Sequence, residues 1–234
     1  MTDVRKRTRE VALRSIASGD RTAWFEEIYA AAAGDPSRIP WADMTPNPNL
    51  VGWAKSRGGR ETVTRLKKQS EAPRALVVGA GLGDDAEHLS SLGFTVVACD
   101  VAPAAIGWCK ERFPGSSVDY TVADLLAPPA GWERSFPFVF EAYTLQSLPR
   151  TRRADAFDRV ASFVAPGGAL LVVAMGRDER EQVDGPPWPL AASELERFES
   201  AGLELVRFED YADDERPPKR RFRAEYARPP SSAS

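Results

Sequence analysis

The chain has 234 residues, 43% of them apolar, and a formal net charge of −3. That length suffices for the core of one α/β domain with additional segments, and the mild acidity argues against a global electrostatic grip on nucleic acid. Cys99 and Cys109, the two cysteines, lack metal-ligand spacing and read as reduced core thiols, so no metal is expected. The N-terminus has no apolar secretory core and no run approaches membrane-spanning length, so a cytoplasmic protein with no membrane partner is the expectation.

Residues 1–20 are charged with interspersed Val4, Val11, Leu13 and Ile16, compatible with a helix or a partly ordered arm. In DRTAWFEEIYAAAAGD, Asp20 can cap a helix that carries Trp24, Phe25 and Tyr29 and stops at Gly34. These aromatics fit either a core-facing helix or a lid. Prolines 36, 40, 46 and 48 then predict an irregular, preformed loop carrying Trp41 and Trp53. A short polar helix over 59–70 precedes the first core strand.

The stretch ALVVGAGLGDDAEHL, residues 75–89, reads as a strand, a glycine turn through Gly79, Gly81 and Gly83, and a helix. Such a turn lets backbone approach a ligand and points the helix N–H groups at it. FTVVACD, ending at Asp100, is an apolar run closed by one acid, as expected of a buried parallel strand. An acid roughly 20 residues past the first glycine is placed to accept hydrogen bonds from ribose hydroxyls.

Pro103 opens a helix that runs to about Phe113. Strand three is VDYTVAD, Val118 to Asp124, and strand four is FPFVFEAYTL, with Glu141 and Tyr143 where it leaves the core. A helix over 150–164 presents Ala154, Phe157, Val160, Ala161 and Val164 to the sheet, and PGG at 166–168 turns the chain into strand five, ALLVVAM. GRDEREQVDGPPWPL, with Trp188, is too irregular for an element. Ser193 and Glu196 form a capping box for a helix ending near Gly202. LELVRFEDY and RRFRAEY supply strands six and seven, the basic run Arg216 to Arg223 reads as a solvated hairpin face, and RPPSSAS as a disordered tail. The division is thus an N-terminal arm, lid and proline-rich loop over 1–70, a core over 71–228 and a tail over 229–234.

Alternating strands and helices specify a Rossmann-like, doubly wound α/β sheet with its ligand beyond the carboxyl ends of the strands. A dinucleotide fingerprint, G-x-G-x-x-G, would put a small residue where this chain has Asp84, and a carboxylate there repels a pyrophosphate. The observed G-x-G-x-G spacing suits S-adenosylmethionine, whose ammonium Asp84 or Asp85 could hold. First-turn acids are also favoured at any helix N-terminus.

GAGLG, the acid in ACD and the VAD closing strand three resemble the motifs of class I S-adenosylmethionine-dependent methyltransferases, over roughly residues 70–227. WFEEIY, IPWADMTPNPNL and GPPWPL resemble segments of the bacterial thiopurine S-methyltransferase-like branch. The resemblance implies a seven-stranded sheet of order 3-2-1-4-5-7-6, strand seven antiparallel, beneath an N-terminal helical lid. It implies that Gly79, Ala80, Gly81 and Gly83 bracket the methionyl and ribose parts of the cofactor. Asp100 and Val101 would hold the ribose, Asp124 and Leu125 would border adenine, and Glu141 and Tyr143 would lie near the sulfonium and acceptor. Where many class I enzymes have an acid two residues before the first glycine, this chain has Val77, which leaves the ammonium to a backbone carbonyl or Asp85.

Methyl transfer is an in-line displacement in which the protein aligns the acceptor and excludes water. His88 is the sole histidine and falls beside the cofactor or on the surface. A scarcity of bases fits a thiol, partly ionised near neutrality, better than a phenol. Glu141 and Tyr143 remain candidates for deprotonating or orienting an oxygen or nitrogen acceptor. Trp24, Tyr29, Trp41 and Trp188 are expected to line a pocket for a small apolar or aromatic acceptor, with Trp41 and Trp188 serving the acceptor and not the cofactor. Competing readings are a noncatalytic cofactor-binding protein and a nicotinamide-dependent oxidoreductase. Oligomeric state is not encoded in any recognisable pattern.

Overall fold

The computed structural model describes residues 3–20 and 22–231. Residues 232–234 of the expected tail and residues 1–2 of the arm lie outside the described residues, while 229–231 carry no regular structure. Seven strands form one sheet of order β3-β2-β1-β4-β5-β7-β6. They are β1 (Arg74–Val78), β2 (Thr95–Asp100), β3 (Asp119–Val122), β4 (Phe136–Ala142), β5 (Val164–Met175), β6 (Glu204–Ala212) and β7 (Arg220–Ala227). The first five strands in chain order run parallel; β7 is antiparallel to both β5 and β6. This is the Rossmann-like methyltransferase topology expected above.

Each sheet face has its own core. On one side Leu76, Val78, Val139, Leu170 and Val172 meet Phe157 and Val160 of α7 (Arg150–Phe163) and Phe198 of α9 (Arg197–Ser200). On the other, Val77, Ala98, Phe138 and Phe140 meet Leu50 and Trp53 of α3 (Pro48–Lys55), Leu66 of α4 (Arg57–Gln69), Leu89 of α5 (Asp84–Ser91) and Ile106 of α6 (Pro103–Arg112). Burial on both faces explains why β1, β2 and β5 are near-continuous apolar runs. A third cluster joins α1 (Asp3–Ala17) and α2 (Ala23–Ala32) to Leu82, Ala102 and Ala105, so the N-terminal helices sit on the glycine turn and the start of α6.

Several local expectations need correction. Residues 48–55 are helical: the Asn47 side chain caps the helix and Pro48 occupies its first turn, where a missing N–H is harmless. Trp53 is therefore a buried helix residue, its indole donating to Glu225 at 2.9 Å. The PGG at 166–168 lies inside β5, which begins at Val164 and shifts register against β4. The last helical segment, α8 (Ala192–Leu195) followed by α9, starts two residues earlier than the Ser193–Glu196 pattern predicts, with Ala191 at the N-cap. There Glu194 reaches back to the N–H of Ala191 at 2.8 Å, while the Ser193 hydroxyl donates to Glu179. β3 stops at Val122, which leaves Asp124 exposed in a turn bridged to Ala127. The basic run is not simply solvated. Arg221 is buried and paired with Asp213 and Glu215 of the β6–β7 turn, and Arg223 is paired with Glu209 of β6 and donates to the Asn49 carbonyl of α3.

Candidate active site

The glycine turn connects β1 to α5. Gly79, Gly81 and Gly83 all have φ in the left-handed region, at 69°, 55° and 91°, which side chains with a Cβ rarely adopt. A Cβ on Gly79 would collide with Thr144 Oγ1, and one on Gly83 would lie 2.7 Å from Tyr120 Oη. The turn is tied to β2 through the Ala80 N–H, donated to Cys99 O at 2.7 Å.

Asp100, at the end of β2, is buried and accepts from the N–H of Gly81 (3.0 Å) and of Ala102 (3.0 Å). One carboxylate thus pins the glycine turn to the start of α6, with Val101 half-buried between the two contacts. Burial pushes its carboxyl up to about 6, the backbone donors opposing and Glu26 adding to the rise. Asp85 is likewise raised to about 6, first by burial, then by its acidic neighbours Asp84 and Asp43, against a stabilising 2.6 Å bond from the Asn47 N–H. Asp84 is spoken for: Arg112 grips both its oxygens, at 2.7 and 2.8 Å. Further along, Asp124 Oδ1 accepts from the Leu126 N–H at 2.8 Å, and Leu125 packs against the α7-side core.

Three of the four aromatic candidates come together. Trp24, Phe25, Tyr29 and Trp41 make mutual ring contacts, and the Trp41 indole donates to Tyr29 Oη at 2.7 Å. That hydroxyl lies 3.4 Å from where a Cβ on Gly81 would sit, so Tyr29 rests on the glycine turn itself. Trp188 belongs elsewhere. Its N–H donates to Gln146 O (2.7 Å) and its carbonyl accepts from Arg153 (2.9 Å), while Arg177 gathers the carbonyls of Asp178, Glu179 and Pro189. Two buried arginines thereby fix the base of the 176–190 loop beside β4.

Glu141 is fully buried and turned into the α7-side face between Val78 and Val172. Its Oε1 accepts from the N–H groups of Thr144 (2.7 Å) and Leu145 (2.9 Å), and burial lifts its carboxyl to about 7. The next turn holds Tyr143 at φ 64°, a strained conformation of the kind concentrated at functional sites. The Tyr143 ring lies under the Arg221 guanidinium, 5.2 Å from the ring centroid, and its hydroxyl, raised to about 12 by burial, faces Asn49 Nδ2 at 3.4 Å. Asn49, Tyr211 and Arg221 escaped the sequence reading. Only the Asn-Pro pair at 47–48, a helix-start signal, pointed toward this group.

The glycine cradle, the acid at the end of β2 and the acids crowded at the start of α5 fit a ligand with a nucleoside part and a cationic part. Residues 75–168 match a family model described as "Methyltransferase domain". The domain match and the sheet order support a class I S-adenosylmethionine-dependent methyltransferase, with S-adenosylmethionine as its cofactor. Among curated relatives, a thiopurine S-methyltransferase of Vibrio vulnificus (strain YJ016) is 29% identical over 80 residues, 34% of this chain and 36% of that protein. The chain therefore spans about a third of the length of the curated relative it matches. A structure titled "Conversion of a Disulfide Bond into a Thioacetal Group during Echinomycin Biosynthesis" superposes with a TM-score of 0.66, at 19% identity, over 89% of this chain and 94% of that one. The Burkholderia thailandensis 1,6-didemethyltoxoflavin-N1-methyltransferase, with bound 1,6-didemethyltoxoflavin and S-adenosylhomocysteine, gives 0.58 at 16% identity, over 87% and 90%.

Proposed function

We propose that the protein transfers a methyl group from S-adenosylmethionine to a small apolar or aromatic acceptor, with a sulfur atom favoured over oxygen or nitrogen. The observation that carries this reading is Asp100, held by the N–H groups of Gly81 and Ala102 at the edge of a left-handed glycine turn. Gly79, Ala80, Gly81 and Gly83 would line the nucleoside and methionyl parts, Asp100 and Val101 the ribose, and Asp124 with Leu125 the adenine. With Val77 in place of an acid, Asp85 is assigned to the ammonium: a cation beside it relieves the burial and the repulsion from Asp84 and Asp43 that raise its carboxyl.

Bound there, the cofactor supplies a methyl carbon activated by a sulfonium. The protein's part is to orient the acceptor and keep water out. The Trp24–Tyr29–Trp41 cluster roofs the turn, and Trp188 borders the acceptor from the side of β4. Tyr143 is the residue assigned to touch the acceptor. Glu141, with Oε1 committed to the 144–145 turn, acts as a positioning residue for it.

A sulfur acceptor is supported by the supply of bases. The Tyr143 hydroxyl is raised to about 12, and His88, lowered by burial and by Lys55, sits on the last turn of α5. A thiol needs little help, being partly ionised near neutral pH. Relatives whose names concern thiopurines and a disulfide-to-thioacetal conversion point the same way. The test is a panel of small thiols, phenols and amines with methyl-labelled cofactor: transfer to thiols ahead of the others is expected, and transfer confined to amines or phenols would refute the sulfur assignment.

A further inference from the structure

One segment touches both halves of the site. The N–H of Asn47 donates to Asp85 Oδ1 at 2.6 Å, on the side assigned to the cofactor ammonium. Asn47 Oδ1 in turn accepts from the backbone N–H and the side-chain Nδ2 of Asn49, both at 2.9 Å. The Asn49 side chain is buried, faces the Tyr143 hydroxyl at 3.4 Å and accepts from the Tyr211 hydroxyl. The Asn49 backbone carbonyl accepts from Arg223 at 3.1 Å. Pro48 between the two asparagines fixes one backbone torsion of the turn and occupies the first position of α3.

We propose that the Asn47–Pro48–Asn49 turn is a positioning element that couples cofactor engagement at Asp85 to the setting of Tyr143 and Tyr211 on the acceptor side. It rests on the methyltransferase reading given above. An ammonium placed beside Asp85 fixes that side chain as a carboxylate, and a charged acceptor makes a stronger hydrogen bond to the Asn47 N–H than a neutral one. The tightened turn holds Asn49, and Asn49 holds the two hydroxyls. Acceptor recognition is then completed after the cofactor has entered, and by linkage an acceptor seated on Tyr143 strengthens cofactor binding by the same factor.

The experiment compares S-adenosylhomocysteine with 5′-methylthioadenosine, which has the nucleoside but no ammonium, on the full-length protein. Binding is followed by calorimetry and amide exchange by mass spectrometry on the same samples. S-adenosylhomocysteine is expected to slow exchange in peptides covering 43–55 by roughly threefold or more, and 5′-methylthioadenosine at saturation to leave them unchanged. Asp85→Asn should bind S-adenosylhomocysteine more weakly and, once saturated, lose the protection of 43–55. If S-adenosylhomocysteine binds but the segment is not protected, or if both ligands protect it equally, the coupling is wrong while the methyltransferase reading stands. If S-adenosylhomocysteine does not bind, both fail. The two-ligand comparison needs no variant, so a poorly folded Asp85→Asn would not blunt it.

Discussion

Arg112 closes on Asp84 in a two-pronged ion pair, Nη1 to Oδ2 at 2.7 Å and Nη2 to Oδ1 at 2.8 Å, both side chains mostly buried, and Nη1 also reaches the Leu82 carbonyl. The last residue of α6 is thereby locked to the first residue of α5, so the two helices that begin beside Asp100 are braced at the far end of one and the near end of the other. The carboxylate that argues against a pyrophosphate is neutralised by the chain itself, which leaves Asp85 as the neighbouring acid turned toward the proline-rich segment.

Arg112→Met keeps the aliphatic stem and removes the charge. Breaking the pair leaves the mostly buried Asp84 without its partner, at a cost of about 1–3 kcal/mol. Chemical denaturation should show that loss, while S-adenosylhomocysteine affinity changes only a few-fold. Unchanged stability would mean the pair is solvated and inert.

Gly79→Ala meets two obstacles, a positive φ and the Thr144 hydroxyl in the space its methyl needs. The backbone alone costs on the order of 1–3 kcal/mol. The variant is expected to lose cofactor binding and stability together, and a Gly79→Ala protein with the parent's affinity would remove the turn from the site.

Asp85, Asp100 and Glu141 are all raised, to about 6, 6 and 7, each chiefly by burial. A carboxyl raised on folding holds its proton where the unfolded chain, titrating near 4, has released it. Its contribution to stability is full below about 4 and is lost as pH rises through the folded value. The ligand-free protein should therefore melt at a higher temperature near pH 5.5 than near pH 8. Glu141→Gln should flatten that dependence whatever its effect at a single pH. A Glu141→Gln profile parallel to the parent's would show that Glu141 does not titrate in this range.

Trp41 and Trp188 separate. Trp41 holds the Tyr29 hydroxyl against Gly81, so Trp41→Ala is expected to weaken S-adenosylhomocysteine binding, by roughly tenfold for about 1.4 kcal/mol, in addition to any effect on the acceptor. Trp188, anchored to Gln146 and Arg153, should affect the acceptor alone. Equal cofactor affinities for Trp41→Ala and the parent would detach the aromatic cluster from the cofactor.

What could be read from the sequence follows from burial. Strands covered on both faces leave unbroken apolar runs, so β1, β2 and the parallel sheet were legible, as were the glycine turn and the acid after β2. The segment at 46–55 was not, because proline reads as a breaker until the Asn47 cap makes Pro48 the first helical residue. Arg221 and Arg223 alternate with Phe222 and Ala224, which gives a face but not its cover. Only tertiary packing brings the Asn49 carbonyl of α3 to Arg223 and the Tyr143 ring under Arg221, while the ion pairs of both arginines are made within the β6–β7 hairpin itself. Glu141 fell at the strand end by spacing, yet its orientation depends on the 144–145 turn, for which the sequence carries no signal.

The central claim is that the turn from Gly79 to Gly83, with Asp100, is a site for S-adenosylmethionine. Calorimetric titration with S-adenosylhomocysteine and with NADH, on the parent and on Asp100→Ala, tests it directly. S-adenosylhomocysteine should bind the parent at one site, bind Asp100→Ala at least about tenfold more weakly, and NADH should produce no saturable heat. Tight NADH binding with no response to S-adenosylhomocysteine would contradict the account.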